Sequence, residues 1–210
     1  LLLLDLKTGK YNPPPFDCGK EIMNIFIDSQ KRIWVAPYNG GLNCLTRDGK
    51  LLATYTTRNS SLSNNVVLSL AEREGQIWIG TDGGGINILD PETGQFSLLE
   101  HIPGRDNYSL PANSILCLYN DRNNNMWAGS IRNGLISIRE VSMKTYKDVL
   151  PGNDRGLSNS TVLSLFQESE NRIWIGTDGG GINSFNPFTE KFAHYPSTWE
   201  DKVASICPFT

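Results

Sequence analysis

Apolar residues along this chain fall into short runs of about five to seven positions, bounded by clusters of Gly, Asn, Asp and Ser. Within the runs, β-branched and aromatic residues alternate with polar ones, which is strand material rather than helix. The runs come in fours. One set reads VVLSLAE (66–72), QIWIGT (76–81), GINILD (85–90) and QFSLLEH (95–101). A later set repeats it as TVLSLFQE, RIWIGT, GINSFN and KFAHYP. Between these two lie SILCLYND, MWAGS, GLISIRE and TYKDVL, and before them IMNIFID, RIWVAP, GLNCLT and KLLATY. The joins carry turn sequences such as TDGGG (81–85) and DPETG (90–94), which suit hairpins. No stretch sustains a helical period.

The sets are internal repeats. Ile77 to Asn87 and Ile173 to Asn183 are identical, both reading IWIGTDGGGIN. Trp34, Trp78, Trp127 and Trp174 each follow Ile or Met and recur at steps of 44, 49 and 47 residues. Four strands in a period in the forties predict an all-β chain of antiparallel β-propeller blades. Complete blades are expected at 22–57, 66–101, 114–150 and 161–196. Leu1 to Tyr11 aligns with Ile86 to Phe96, so residues 1–16 read as the end of a preceding blade. Val203 to Ile206 aligns with VLSL, so 203–210 reads as the first strand of a following one. The expectation is therefore that 1–210 is a segment of a larger propeller, because an open row of blades leaves sheet edges and apolar flanks uncovered.

Alternation assigns faces within a blade. Ile77, Ile79 and Thr81 point one way, and Trp78 and Gly80 the other. A large indole beside a glycine suits blade-on-blade packing: the ring supplies area and the glycine admits a neighbouring backbone. Trp34, Trp78, Trp127, Trp174, Gly80 and Gly176 are thus read as repeat-level structural residues. The glycines of Asp82–Gly85 and Asp178–Gly181 precede strands, not helices, and so are turn glycines instead of a phosphate cradle. The DLKTG and DPETG turns lack the oxygen density of a calcium loop.

Composition narrows the class. A net charge of -3 and a pI near 5.4 argue against a nucleic-acid surface, although a local basic patch remains compatible with them. No apolar run approaches a membrane span, and the opening LLLL is too short for a signal peptide. Cys18, Cys44, Cys117 and Cys207 have no metal-ligand spacing; Cys44 and Cys117 fall at strand positions held by Ile or Ser in sister repeats and read as buried thiols. No metal or cofactor is expected.

The blade pattern V-x-S-L, then I-W-I-G-T-x-G-G-G-I-N, then a D-x-x-T-G-x-F turn and strand resembles the two-component regulator propeller repeat. LSNN (62–65) and LSNS (157–160) before the first strands match it too. The likeness covers essentially the whole chain and is weakest in the third blade. It implies the periplasmic sensor region of a Bacteroides-type hybrid two-component histidine kinase, anchored in the inner membrane. Such a region pairs propellers of about seven blades with a β-sandwich and works commonly as a homodimer. It further implies oligosaccharide sensing that regulates polysaccharide utilisation, with the kinase lying outside these residues.

Sites are sought where blades abandon the repeat. In place of TDGG, blade one has Pro37, Tyr38, Asn39 and Gly40, and blade three has Ser130, Ile131, Arg132 and Asn133. The long connection His101 to Asn113 adds Arg105, Asp106 and Tyr108, and Arg58, Arg155 and Trp199 occupy comparable joins. Tyr38, Arg105, Tyr108 and Arg132 are the candidate ligand-binding set, aromatics to stack on a sugar and arginines to pair with its acidic groups. No catalytic residues are assigned: His101 and His194 lack a nucleophile, and Asp82 and Asp178 are repeat turn residues. Against a quinoprotein-type enzyme, the residues after the turn glycines are Gln95-Phe96 and Lys10-Tyr11, where that class places Trp. A lyase-type or purely protein-binding propeller is the other alternative.

Overall fold

A computed structural model describes residues 3–4, 9–13, 21–103, 109–139, 143–150, 152–195 and 203–206. Four antiparallel four-stranded sheets follow one another along the chain. Blade one is β3 (Ile22–Ile27), β4 (Ile33–Pro37), β5 (Leu42–Leu45) and β6 (Leu51–Tyr55). Blade two is β7 (Val67–Arg73), β8 (Gln76–Thr81), β9 (Ile86–Leu89) and β10 (Phe96–Leu99). Blade three is β11 (Ile115–Asn120), β12 (Met126–Ser130), β13 (Leu135–Ile138) and β14 (Met143–Tyr146). Blade four is β15 (Val162–Ser169), β16 (Arg172–Thr177), β17 (Ile182–Asn186) and β18 (Lys191–Tyr195). In every sheet the strands pair in sequence order. Ahead of them β1 (Leu3–Leu4) pairs with β2 (Tyr11–Asn12) as a hairpin.

The hydrophobic cores lie between blades. Trp34, Ala36, Leu42 and Cys44 of blade one meet Leu62, Val67, Leu70, Ile77, Ile79 and Leu89 of blade two. Trp78 and Ile86 meet Ile115, Leu118, Met126, Ala128 and Ile136 across the next junction. Trp127, Leu135 and Tyr146 meet Val162, Ile173, Ile175, Phe185 and Phe192 across the third. The second strands of blades two, three and four therefore turn the residues flanking their tryptophan to the preceding blade, and those of blades one, two and three turn the tryptophan to the following one, as alternation predicts. Edge-on ring contacts add to the third core, with Trp127 and Phe185 centroids 5.5 Å apart.

The glycine of that face is needed for close approach. A Cβ on Gly80 would lie 2.9 Å from Ile115 Cγ2 and 3.1 Å from the Ile115 carbonyl oxygen. On Gly176 it would lie 2.5 Å from the Val203 carbonyl oxygen. Val203 thus occupies the place that Ile115 and Val162 occupy at the earlier junctions; its N–H donates to the Thr177 carbonyl. Residues 203–206 carry no strand pairing, and 207–210, the rest of the predicted first strand, lie outside the described residues.

One strand differs from expectation. The fourth strand of blade three is Met143–Tyr146, earlier than the TYKDVL run. Tyr146 is the reason: it pairs with Leu135 and its ring is buried against Phe185 and Phe192. Residues beyond it leave the sheet, with Val149 N–H donating to Leu157 O and Leu157 N–H to Lys147 O.

Cys44 and Cys117 are free thiols, while Cys18 and Cys207 lie outside the described residues. Burial pushes the Cys44 thiol up to about 11 and that of Cys117 up to about 12. Among the described residues no helix is long and apolar enough to cross a membrane.

Candidate ligand-binding rim

One face of the row of blades is built from two kinds of segment, the turns between second and third strands and the connections between blades. In blades two, three and four the turn closes on itself through the residue before it: Thr81 N–H and Oγ1 both donate to Gly85 O, and Ser130 and Thr177 repeat this with Gly134 and Gly181. The next residue ties the turn to its own first strand. Tyr38 N–H donates to Glu21 O, Asp82 to Val66 O, Ile131 to Ser114 O and Asp178 to Thr161 O. The last glycine ties it to the following blade, as Gly41, Gly85 and Gly134 donate to Asn65, Asn113 and Ser160. The rim is therefore held at each blade junction by backbone bonds.

Tyr38 and Arg132 lie on this rim, in blades one and three, with the Asp82 turn of blade two between them. The Tyr38 side chain is 59% exposed, and Arg132 is exposed. Arg132 holds φ +62°, at the position where Gly83 and Gly179 hold φ +83° and +85°. A side chain in that left-handed region costs about 1–2 kcal/mol that glycine does not incur. Blade one solves the same turn with Asn39 at φ +53°, a residue type that tolerates it. Arg105 and Tyr108 lie outside the described residues.

The connection before blade four contributes a feature that sequence reading missed. Residues 148–150 and 152–157 lie along β18, where Phe192 N–H donates to Asp154 O and His194 Nε2 meets Gly156 O at 2.8 Å. Lys191 Nζ pairs with Asp154 Oδ2 at 2.8 Å; that hydrogen bond and the lysine's charge hold the Asp154 carboxyl below its usual range. Beside these residues is a cavity of about 520 Å³ lined by Val149, Asn153, Asp154, Ser158, Phe192 and His194 among others. That is within the range of small-ligand pockets. The signal available in sequence was the length of 147–161 compared with 56–66 before blade two.

A second missed pattern lies on the opposite face, at the turns between first and second strands. A carboxylate six residues before the repeat tryptophan accepts its indole N–H: Asp28 from Trp34 at 3.0 Å, Asp121 from Trp127 at 2.9 Å, Glu168 from Trp174 at 3.1 Å. These acids cap the tryptophans and are structural. Among the described residues no group of His, Cys, Asp and Glu is arranged to hold a metal ion.

The fold and the repeat stitching define a β-propeller segment, and comparison with known proteins agrees. The two-component regulator propeller family matches residues 61–83, 109–132 and 156–179, the lead-in, first two strands and rim turn of blades two, three and four. Three stretches of the chain therefore match the two-component regulator propeller repeat. No curated protein matches its sequence. Among solved structures it is similar to the extracellular domain assigned to a hybrid two-component system of B. thetaiotaomicron, with 21% identity and a TM-score of 0.74 over 93% of this chain and 26% of that one. It is similar also to PorZ, a surface component of the type-IX secretion system of Porphyromonas gingivalis (17% identity, TM-score 0.56, 79% of this chain and 25% of that one). The β-propeller domain of Cps50 (Swd1) from Myceliophteria thermophila shares the fold at 9% identity and TM-score 0.57, over 81% of this chain and 53% of that one. The chain thus spans about a quarter of the length of the first two.

Proposed function

We propose that this chain is part of the extracytoplasmic sensing propeller of a hybrid two-component sensor kinase, and that its ligand is an oligosaccharide whose presence switches polysaccharide-utilisation genes. In this reading 1–16 ends a preceding blade, 22–57, 66–101, 114–150 and 161–196 are whole blades, and 203–210 opens the next. Further blades, a β-sandwich and an inner-membrane anchor belong to the rest of the protein, which works as a homodimer in the periplasm. The regulator repeats and the likeness to an extracellular two-component domain support the sensing role.

The observation that carries a ligand role for this rim is Arg132. The repeat places glycine where this arginine stands, and the chain keeps a strained, exposed cation there instead. Strain retained at an exposed position points to use of the side chain. Tyr38, Arg105, Tyr108 and Arg132 are the proposed contacts, ring faces for sugar C–H surfaces and guanidinium groups for carboxylate or sulfate. Titration calorimetry of the protein with neutral, uronic-acid and sulfated oligosaccharides tests this. Binding that weakens at least tenfold when all four residues become alanine supports it. Binding indifferent to the four changes would sink the rim assignment, and no heat with any glycan would sink the ligand class.

A further inference from the structure

We infer that the junction of blades two and three binds a small carboxylate anion, held by the indole Nε1 of Trp78 and the guanidinium of Arg73. Three other blades show what such donors take. In blade one Asp28 Oδ2 accepts both the Trp34 Nε1–H at 3.0 Å and the Arg32 Nε–H at 2.5 Å, and the Arg32 guanidinium lies 5.8 Å from the Trp34 ring centroid. In blade four Glu168 Oε2 accepts from Trp174 Nε1 at 3.1 Å and from Arg172 at 3.2 Å, with that guanidinium again 5.8 Å from the ring. In blade three Asp121 Oδ2 joins Trp127 Nε1 to Asn125 Nδ2. Blade two keeps the donors, with the Arg73 guanidinium 5.9 Å from the Trp78 ring centroid, but has no acid there. Trp78 is only 6% exposed, and its Nε1 and the Arg73 Nε are both buried without a partner among the described residues. Buried donors without an acceptor are uncommon in a native fold, and costly when one belongs to a cation.

Register accounts for the missing acid. In the other blades the acid directly follows the first-strand residue that pairs with the one before the tryptophan: Ile27 with Ile33, Asn120 with Met126, Gln167 with Ile173. In blade two that residue is Glu72, paired with Ile77, and the next is Arg73. A two-residue turn, Glu74 at φ +55° and Gly75 at φ +78°, carries the ladder on to Arg73 and Gln76. Alternation puts Arg73 on the face of Ala71 and Trp78, toward blade three. The glutamates on either side are engaged elsewhere: Glu72 accepts the Ser29 N–H and hydroxyl, and Glu74 accepts from Asn124 Nδ2 at 2.6 Å. An arginine thus stands where the other blades have a carboxylate.

The pattern of blades one and four has indole and arginine share one carboxylate oxygen, and charge-assisted hydrogen bonds of that kind favour an anionic acceptor. Arg73 is half-buried and the Glu74–Gln76 tip is exposed, so a single side chain separates the site from solvent. Only a small ligand fits between the blades. Asn120 Oδ1 is a buried acceptor without a partner at the same junction, where Asn120 Nδ2 donates to Glu72 O. Water, which both donates and accepts, is therefore the competing occupant. The site lies at the turns between first and second strands, on the face opposite Tyr38 and Arg132, and is independent of any ligand bound there.

The test is a titration of the 210-residue protein with sodium formate, exchanged for sodium sulfate at constant ionic strength. It is read in the indole region of a ¹⁵N–¹H spectrum, with Trp78→Phe identifying the Trp78 peak. Formate is expected to move that peak downfield, toward those of Trp34, Trp127 and Trp174, in a saturable way. Three heavy atoms limit its affinity to about the millimolar range. Arg73→Leu is expected to weaken the effect by about tenfold or more, with unmoved Trp34, Trp127 and Trp174 peaks certifying the fold. Arg73→Lys, which keeps the charge and loses the planar fork, gives a smaller loss and stands in if the leucine variant does not fold. A Trp78 peak that formate does not move, as a tightly held water would leave it, overturns the site. Sodium chloride giving the same shift at the same concentrations overturns the carboxylate class. A shift that neither Arg73 variant weakens, or one shared by all the indole peaks, overturns the assignment as well.

Discussion

Ser63 and Asn87 hold each other: the Ser63 N–H donates to Asn87 Oδ1 at 2.9 Å, and Asn87 Nδ2 donates back to Ser63 Oγ at 2.7 Å. The pair fastens the connection entering blade two to that blade's third strand, and Ser158 with Asn183 repeats it in blade four. In blade three both positions change together, to Pro111 and Ile136, and the polar clamp becomes an apolar contact in which Ile136 joins a core with Leu110. Removing half of a buried polar pair costs about 1–3 kcal/mol, while exchanging both halves costs much less. Asn87→Ala is expected to destabilise by that amount in urea unfolding. Ile136→Asn alone is expected to be similarly harmful, and Pro111→Ser added to it is expected to recover part of the loss, read as a coupling energy in a double-mutant cycle.

The glycine two residues after the repeat tryptophan of blades two, three and four is a distance requirement. Gly80→Ala brings a methyl group against Ile115, and Gly176→Ala brings one against the Val203 carbonyl. Overpacking of this kind costs about 1–3 kcal/mol. Blade one has Ala36 here, fully buried, so Ala36→Gly is expected to lose burial without relieving any clash. Thermal unfolding of the three variants separates these effects.

Asp28 links the repeat to acid stability. Burial alone would raise its pKa, but hydrogen bonds from Trp34 and Arg32, with the arginine's charge, outweigh that and hold it below the ordinary carboxylate value. An acid whose folded pKa is depressed lends stability above the unfolded pKa of about 3.9, and this is lost as pH falls through the folded value. Asp28→Asn is expected to cost about 1.5–3 kcal/mol at neutral pH. It should also flatten the decline of the unfolding midpoint below about pH 4.

Arg132 sets function against stability. Arg132→Gly removes the left-handed strain and, after the entropy glycine adds to the unfolded chain, is expected to raise stability by up to about 1 kcal/mol. The same change is expected to weaken glycan binding. Equal affinity in a more stable variant would return Arg132 to an ordinary turn residue.

The two described thiols are expected to be inert. In a Cys18→Ser/Cys207→Ser background, Cys44 and Cys117 should react with a disulfide reagent at pH 8 only at the rate of opening, because both pKa values are raised and the thiolate is the reactive form. Their share of stability is full below the unfolded thiol pKa of about 8.5 and falls as pH rises above it, since the folded state keeps protons the unfolded chain gives up. Rapid labelling of the native protein would contradict this burial.

The sequence alone determined the strands, their order and their faces. Period-two alternation decides which residues share a face, and identical stretches such as Ile77–Asn87 and Ile173–Asn183 must make the same local structure, so the Trp-x-Gly packing face was legible before any coordinate. Tyr38 and Arg132 show in the sequence as departures from a repeat and lie on the rim, while the cavity lined by Val149, Asp154 and His194 did not show. That arrangement depends on Asp154, Gly156 and His194 meeting across nearly forty residues, which no local pattern encodes. The tertiary structure alone decided which acceptor each indole takes. Glu72 and Glu168 both stand six residues before a repeat tryptophan, yet Glu72, paired with Ile77, serves Ser29 in another blade, while Glu168, at the bulge between Gln167 and Ser169, serves its own tryptophan. The reason is register: the first hairpin of blade two is one residue shorter, so Glu72 falls where blade four has Gln167 and reaches the preceding blade as Gln167 does, and a hydrogen bond goes to whichever partner the packing of two blades brings within reach.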